Sequence, residues 1–157
     1  MNDINIGGIM IELQRSSLDL CIVCSNFDDS LNFYHKLLGF KIVAETEIPA
    51  EVALKFGLAP MGFRQVRLKA GDSLLKLMEI KTPLKKGSHQ FSQFSTGIRW
   101  VTFFVKDVQS TYTTLSSAGV HFLSEPHAVD TVKGEDPIAG IVCAVDPDGL
   151  LIEFLQL

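Results

Sequence analysis

The chain repeats itself, and a repeat of this length leaves few folds open. Asn26-Phe27 falls on Asp107-Val108 at an offset of 81 (107 − 26), and Leu38-Gly39-Phe40 falls on Ala118-Gly119-Val120 at an offset of 80 (119 − 39). Ala70 to Lys76 then falls on Pro147 to Glu153 at an offset of 77 (153 − 76). Each half therefore carries the same signals in the same order: a helix start, a helix stop, and a turn that feeds an apolar strand. A unit of this size cannot cover its own apolar faces, so two such units are expected to pack on each other.

Apolar spacing fills in the elements. Ser17 to Ser25 alternates as a strand, with Leu18, Leu20, Ile22 and Cys24 on one face and Asp19, Cys21 and Val23 on the other. Asn26 is an N-cap for a helix whose apolar side is Phe27, Leu31, Tyr34, Leu37 and Leu38, and Gly39 stops it. Strands over Lys41 to Glu47, Phe63 to Lys69 and Leu74 to Ile80 follow, with a loop or short helix over Ala50 to Leu58 and a hairpin turn at Ala70-Gly71-Asp72-Ser73. In the second half the pattern predicts a strand over Ile98 to Val105 and a helix over Val108 to Ala118. It then predicts a strand over Val120 to Leu123, a polar loop over Ser124 to Pro137 and a strand over Ile138 to Val145. The expected fold class is α+β: two tandem β-α-β-β-β modules forming a curved mixed sheet around one cavity. Residues 1–16 read as an N-terminal arm or extra strand, 17–80 as the first module, 81–96 as a polar linker and 97–157 as the second module.

The last strand carries the most telling residue. Asp146-Pro147-Asp148-Gly149 is turn chemistry, and in the strand after it Ile152 and Phe154 share one face while Leu151, Glu153 and Leu155 share the other. A carboxylate on an otherwise oily face needs a partner or a chemical task. Asp19 poses the same question on the first strand.

Composition narrows the function classes. At 157 residues, 46% hydrophobic and 20% charged, the chain has enough apolar material for one buried core. A net charge of −4 gives no electrostatic footprint for nucleic acid or an anionic membrane, and a small-molecule partner fits better. No apolar run reaches the length of a membrane span and no signal-peptide pattern opens the chain, so a cytoplasmic protein is expected. Cys21 and Cys24, three apart on a strand, face opposite sides and read as plain thiols rather than a redox pair.

Ser30-Leu31-Asn32-Phe33-Tyr34 with Leu37-Leu38-Gly39-Phe40, Asp107-Val108 opening the second helix, and Asp146-Pro147-Asp148-Gly149 before Leu151-Ile152-Glu153 together resemble the vicinal oxygen chelate superfamily. That superfamily contains glyoxalases, ring-cleaving dioxygenases, epimerases, fosfomycin-resistance enzymes and bleomycin-resistance proteins. The resemblance covers about Ser17 to Leu157. It implies a homodimer, and a cavity where metal-using members hold a divalent ion on four strand residues, two from each module. Matching motif to motif places those positions at Asp19, Lys76, Trp100 and Glu153. Asp19 and Glu153 have ligand chemistry, but a protonated ammonium has no lone pair and an indole N–H only donates, so no cofactor or metal is expected. His35, His89, His121 and His127 read as surface or structural residues, with His127 the best outsider because its loop could fold over the cavity.

The expected site therefore has Asp19, Lys76 and Glu153 as its chemical groups, with Lys76 standing in place of the metal near Glu153, and with Asp19 as its other candidate partner. Cys21, Val23, Met78, Trp100, Thr102, Phe104 and Leu151 are its ligand-binding wall. Two readings follow. The first is a binding protein for a small, partly apolar molecule; the second is a metal-independent lyase or isomerase of the glyoxalase or epimerase type, with a carboxylate as base and Lys76 holding an enolate.

Overall fold

The computed structural model describes residues 17–55, 57, 61–80, 100–129 and 138–157. The expected arm over residues 1–16 and the linker over residues 81–96 lie outside them, as does His89. The first module runs β1 (Asp19–Val23), α1 (Phe27–Leu31), β2 (Lys41–Ile48), α2 (Ala50–Lys55), β3 (Phe63–Ala70) and β4 (Ser73–Ile80). The second runs β5 (Trp100–Phe104), α3 (Val108–Ser117), β6 (His127–Val129), β7 (Ile138–Val145) and β8 (Leu151–Gln156). Each forms a four-stranded mixed sheet, β1-β4-β3-β2 and β5-β8-β7-β6, in which the first strand lies parallel to the last and the remaining pairs are antiparallel.

The helices start where the sequence places them. The Asn26 side chain accepts from the Asp29 amide at 3.3 Å and the Asp107 side chain accepts from the Ser110 amide at 2.8 Å, each satisfying one orphan donor of a first turn. Gly39 and Gly119 follow the two helical segments at φ 74° and 88°, a region that L side chains avoid. After α1 the backbone widens into a π-helical segment over Asn32–Leu37, where the Leu38 amide bonds the Phe33 carbonyl at 3.0 Å. The wider turn is not visible in α-helical spacing. It brings the consecutive residues Phe33 and Tyr34 both into the core, edge to face at 4.9 Å.

The predicted strand phase holds. Leu75, Leu77, Ile152 and Phe154 are buried, and Leu20, Ile22, Val101 and Phe103 pack partly buried against the same cluster beneath α1 and α3. Leu18, expected among them, is 78% exposed because β1 begins only at Asp19. The strand expected over Val120 to Leu123 reduces to a single bridge, Phe122 to Ala144. The strand that completes the second sheet is β6, inside the segment expected to be loop. Pairing with β7 resumes at His127 opposite Ile141, two residues out of register with the Phe122–Ala144 bridge.

The modules are joined by the turn that opens β8. Tyr34 Oη, fully buried, donates to Asp146 Oδ2 at 2.8 Å. Asp148 accepts from the Ser25 amide at 3.1 Å, from the Ser25 hydroxyl, and from Ser30 Oγ at 3.3 Å. The other Asp146 oxygen takes the Asp148 and Leu150 amides at 2.9 and 2.8 Å, which holds the turn in shape. Burial pushes both the Asp146 carboxyl and the Tyr34 phenol upward; for the phenol the Asp146 charge adds to the effect.

Candidate functional site

β1 and β5 are edge strands of their sheets, and residues of both border one space. This space, at the seam of the two modules, is a cleft of about 1080 Å³. Leu18, Asp19 and Leu20 border it from the first module, and Val101 to Val105 from the second. Leu37, Leu38 and Phe40 close one side, with Phe40 against Phe103 at 5.1 Å between ring centroids. Ser110, Thr111 and Thr114 of α3 add a hydroxyl-bearing wall.

The repeat explains why space remains here. At the opposite end of the seam, the β8 turn is bonded to α1 through Asp146–Tyr34 and Asp148–Ser30. In the repeat, Tyr34 and Ser30 correspond to Leu115 and Thr111, while Asp146 and Asp148 correspond to Lys69 and Gly71. None of those four can reproduce the carboxylate bonds. The equivalent turn, with Ala70, Gly71 and Ser73, instead borders the cleft across from α3.

Asp19 sits at the border of the cleft, and its Oδ2 pairs with Lys76 Nζ at 3.0 Å. Their side chains are 16% and 25% exposed. The expectation that Lys76 stands beside Glu153 is corrected: β1 and β4 are bonded neighbours with Cys21 opposite Lys76, whereas β8 belongs to the other sheet. Glu153 Oε2 instead accepts from the Thr102 hydroxyl at 2.6 Å, between cross-strand neighbours on β5 and β8. Its charge, after burial, also pushes the Cys143 thiol upward.

Of the expected wall, Thr102 and Phe104 border the cleft. Cys21, Val23 and Trp100 are exposed on the sheet faces turned away from α1 and α3, where Trp100 is 53% open. Met78 is buried in a separate cluster with Ala53 and Phe63, and Leu151 is also buried. Sequence reasoning missed Leu37, Leu38, Phe40 and the α3 hydroxyls, because it looked for a site only on the faces away from the helices. The signal was present as the unequal chemistry of Tyr34 and Leu115 at matching positions.

Among the described residues, no three His, Cys, Asp or Glu side chains gather where they could share a metal ion. The four positions matched to the metal ligands of relatives do not fit one either, since Lys76 is an ion-paired ammonium and Trp100 offers only a donor.

Comparison with known proteins places this geometry. The family model described as "Glyoxalase/Bleomycin resistance protein/Dioxygenase superfamily" matches residues 17–154. A glyoxalase family protein from Bacillus cereus superposes with a TM-score of 0.70 at 18% identity, over 94% of this chain and 98% of that one. One from Enterococcus faecalis gives 0.62 at 20%, over 90% and 96%. A glyoxalase I mutant from Zea mays gives 0.65 at 21%, over 90% of this chain and 44% of that longer one. These superpositions show a shared fold. No curated protein matches the chain.

Proposed function

Since the chain belongs to the glyoxalase/bleomycin resistance protein/dioxygenase superfamily, we propose that it binds a small, partly apolar molecule in the cleft between its modules, without a metal. The observation that carries this reading is the cleft of about 1080 Å³, walled by Leu37, Phe40, Val101 and Phe103 with α3 hydroxyls at one side. Ligand pockets typically span about 300 to 1000 Å³, apolar with a few placed polar groups. Nile red, a neutral apolar dye, tests it: titration into the protein is expected to give saturable fluorescence. Thr114→Trp, a substitution at an exposed position on the cleft wall, should weaken that binding about tenfold or more by filling the space. Equal binding by the two proteins would place the dye elsewhere and remove the reading.

The Asp19–Lys76 pair supports a second reading, a metal-independent lyase or isomerase. Asp19 borders the cleft, so a carboxylate base and a lysine able to hold an enolate oxygen stand together at its edge. Asp19→Asn separates the two readings. A binder retains affinity within a few-fold, whereas an enzyme keeps binding and loses turnover by orders of magnitude on a carbonyl substrate. Glu153→Gln is the companion substitution, and by the same logic spares a binder.

A homodimer completes the proposal. Trp100 and Phe104, 53% and 70% exposed, are large apolar side chains on the outer face of the second sheet that a second copy would cover. Light scattering that finds only monomer at high concentration would remove it. No helix among the described residues is long and apolar enough to cross a membrane. The proposed setting is the cytoplasm.

A further inference from the structure

Among the described residues, the charges of the first sheet are sorted by face, and the outer face sets like charges opposite each other. On the face packed under α1, Arg64 pairs with Glu45 at 3.6 Å and sits opposite Glu47 and Glu79. On the other face the register sets Lys41 opposite Lys69, and Arg67 opposite Lys76. Side chains directly opposite on antiparallel strands lie about 4.5 to 5.5 Å apart at Cβ, where like charges destabilise. Among the described residues of the four strands, that face holds Lys41, Arg67, Lys69 and Lys76 against Asp19, in a chain whose net charge is −4. Lysines on sheet edges commonly guard against strand addition, which suits Lys41 on β2. It does not suit the others, because β3 and β4 are the two interior strands.

We propose that this outer face of the first sheet is an oxyanion site, in which Arg67, Lys69 and Lys76 hold the phosphate or carboxylate group of a small molecule. Lys76 is pre-positioned by Asp19 at 3.0 Å, and Arg67 Nε leans toward Gln65 Oε1 at 3.5 Å on the same strand. The planar Arg67 fork matches the geometry of a carboxylate or phosphate, and the flanking ammonium groups supply point charges. One bound oxyanion offsets the Arg67–Lys76 repulsion, and its charge also reaches Lys69, two residues along β3. This site adjoins the cleft at Asp19, and oxyanion binding there does not depend on apolar binding in the cleft.

The test is thermal unfolding of the full chain in inorganic phosphate and in citrate, against sodium chloride at matched ionic strength. A saturable rise in Tm with either oxyanion beyond chloride is expected, and the arm that responds identifies phosphate or carboxylate as the preferred group. Arg67→Gln and Lys69→Gln should each raise the midpoint concentration about tenfold. Arg64→Gln, on the opposite face of the same strand, should leave it unchanged. Without anion, Arg67→Gln should unfold no earlier than the parent, since it relieves a like-charge contact. No rise beyond chloride, or a full rise in the Arg67→Gln/Lys69→Gln double variant, overturns the site. Nile red titration in the same buffers reads the cleft independently, so loss of one kind of binding does not imply loss of the other.

Discussion

Asp19→Asn probes the ion pair most directly, because it removes the charge and keeps the shape. With Lys76 Nζ 3.0 Å from Asp19 Oδ2, the gross attraction at an effective dielectric constant of about 20 is about 5 to 6 kcal/mol. Desolvation of both groups and their partial exposure reduce the net cost of losing the carboxylate to about 1 to 3 kcal/mol. The outcome should fall in the upper part of that range, because the ammonium left behind also faces Arg67 across the strand. For a chain of this size, about 2 kcal/mol corresponds to a drop of roughly 4 to 8 °C in Tm. Urea unfolding of Asp19→Asn, Lys76→Met and the double variant completes the cycle. The double variant should be more stable than the sum of the single losses implies, with a coupling of about 1 to 2 kcal/mol. Strong salt should narrow the gap between Asp19→Asn and the parent. Simple addition of the two single effects, or a loss under about 0.5 kcal/mol for Asp19→Asn, refutes the argument.

Tyr34→Phe should cost about 1.5 to 3 kcal/mol in urea unfolding, since it strips the phenol donor from a buried carboxylate that bridges the modules. In the Asp146→Asn background the same change should cost clearly less. Asp146 also sets a pH dependence. Burial raises its folded-state carboxyl above the ordinary 3.8, so its stabilising contribution is full below that value and is lost as pH rises through the folded one. The stability of the parent relative to Asp146→Asn should therefore shrink as pH rises from about 4, which Tm measurements across the acidic range would show.

Near-neighbour chemistry made much of the architecture legible. Asn26 and Asp107 cap their helices because their side-chain oxygens lie within reach of an amide three residues on, and Gly39 and Gly119 follow because the exit from each helix needs positive φ. The alternation of Leu20, Ile22, Ile152 and Phe154 with Asp19, Cys21 and Glu153 set the strand phase, since a one-residue slip would turn every side chain over. The expectation of no metal at the four matched positions rests on residue chemistry in the same way, because a protonated ammonium has no lone pair.

Partnership was decided by the tertiary structure. From sequence, Lys76 had two carboxylates to choose from; strand order resolved it, placing β1 beside β4 and leaving β8 in the other sheet. The π-helical widening at Asn32–Leu37 depends on a core that takes both Phe33 and Tyr34. The displaced strand at His127–Val129 depends on its pairing with β7, a partner that local spacing does not name. The cleft is the clearest case. It exists because one end of the seam is bonded through Tyr34, Ser30, Asp146 and Asp148 while the other has Leu115, Thr111, Lys69 and Gly71. Each residue was readable in the sequence, but which of them meet across the seam depends on how the two modules dock.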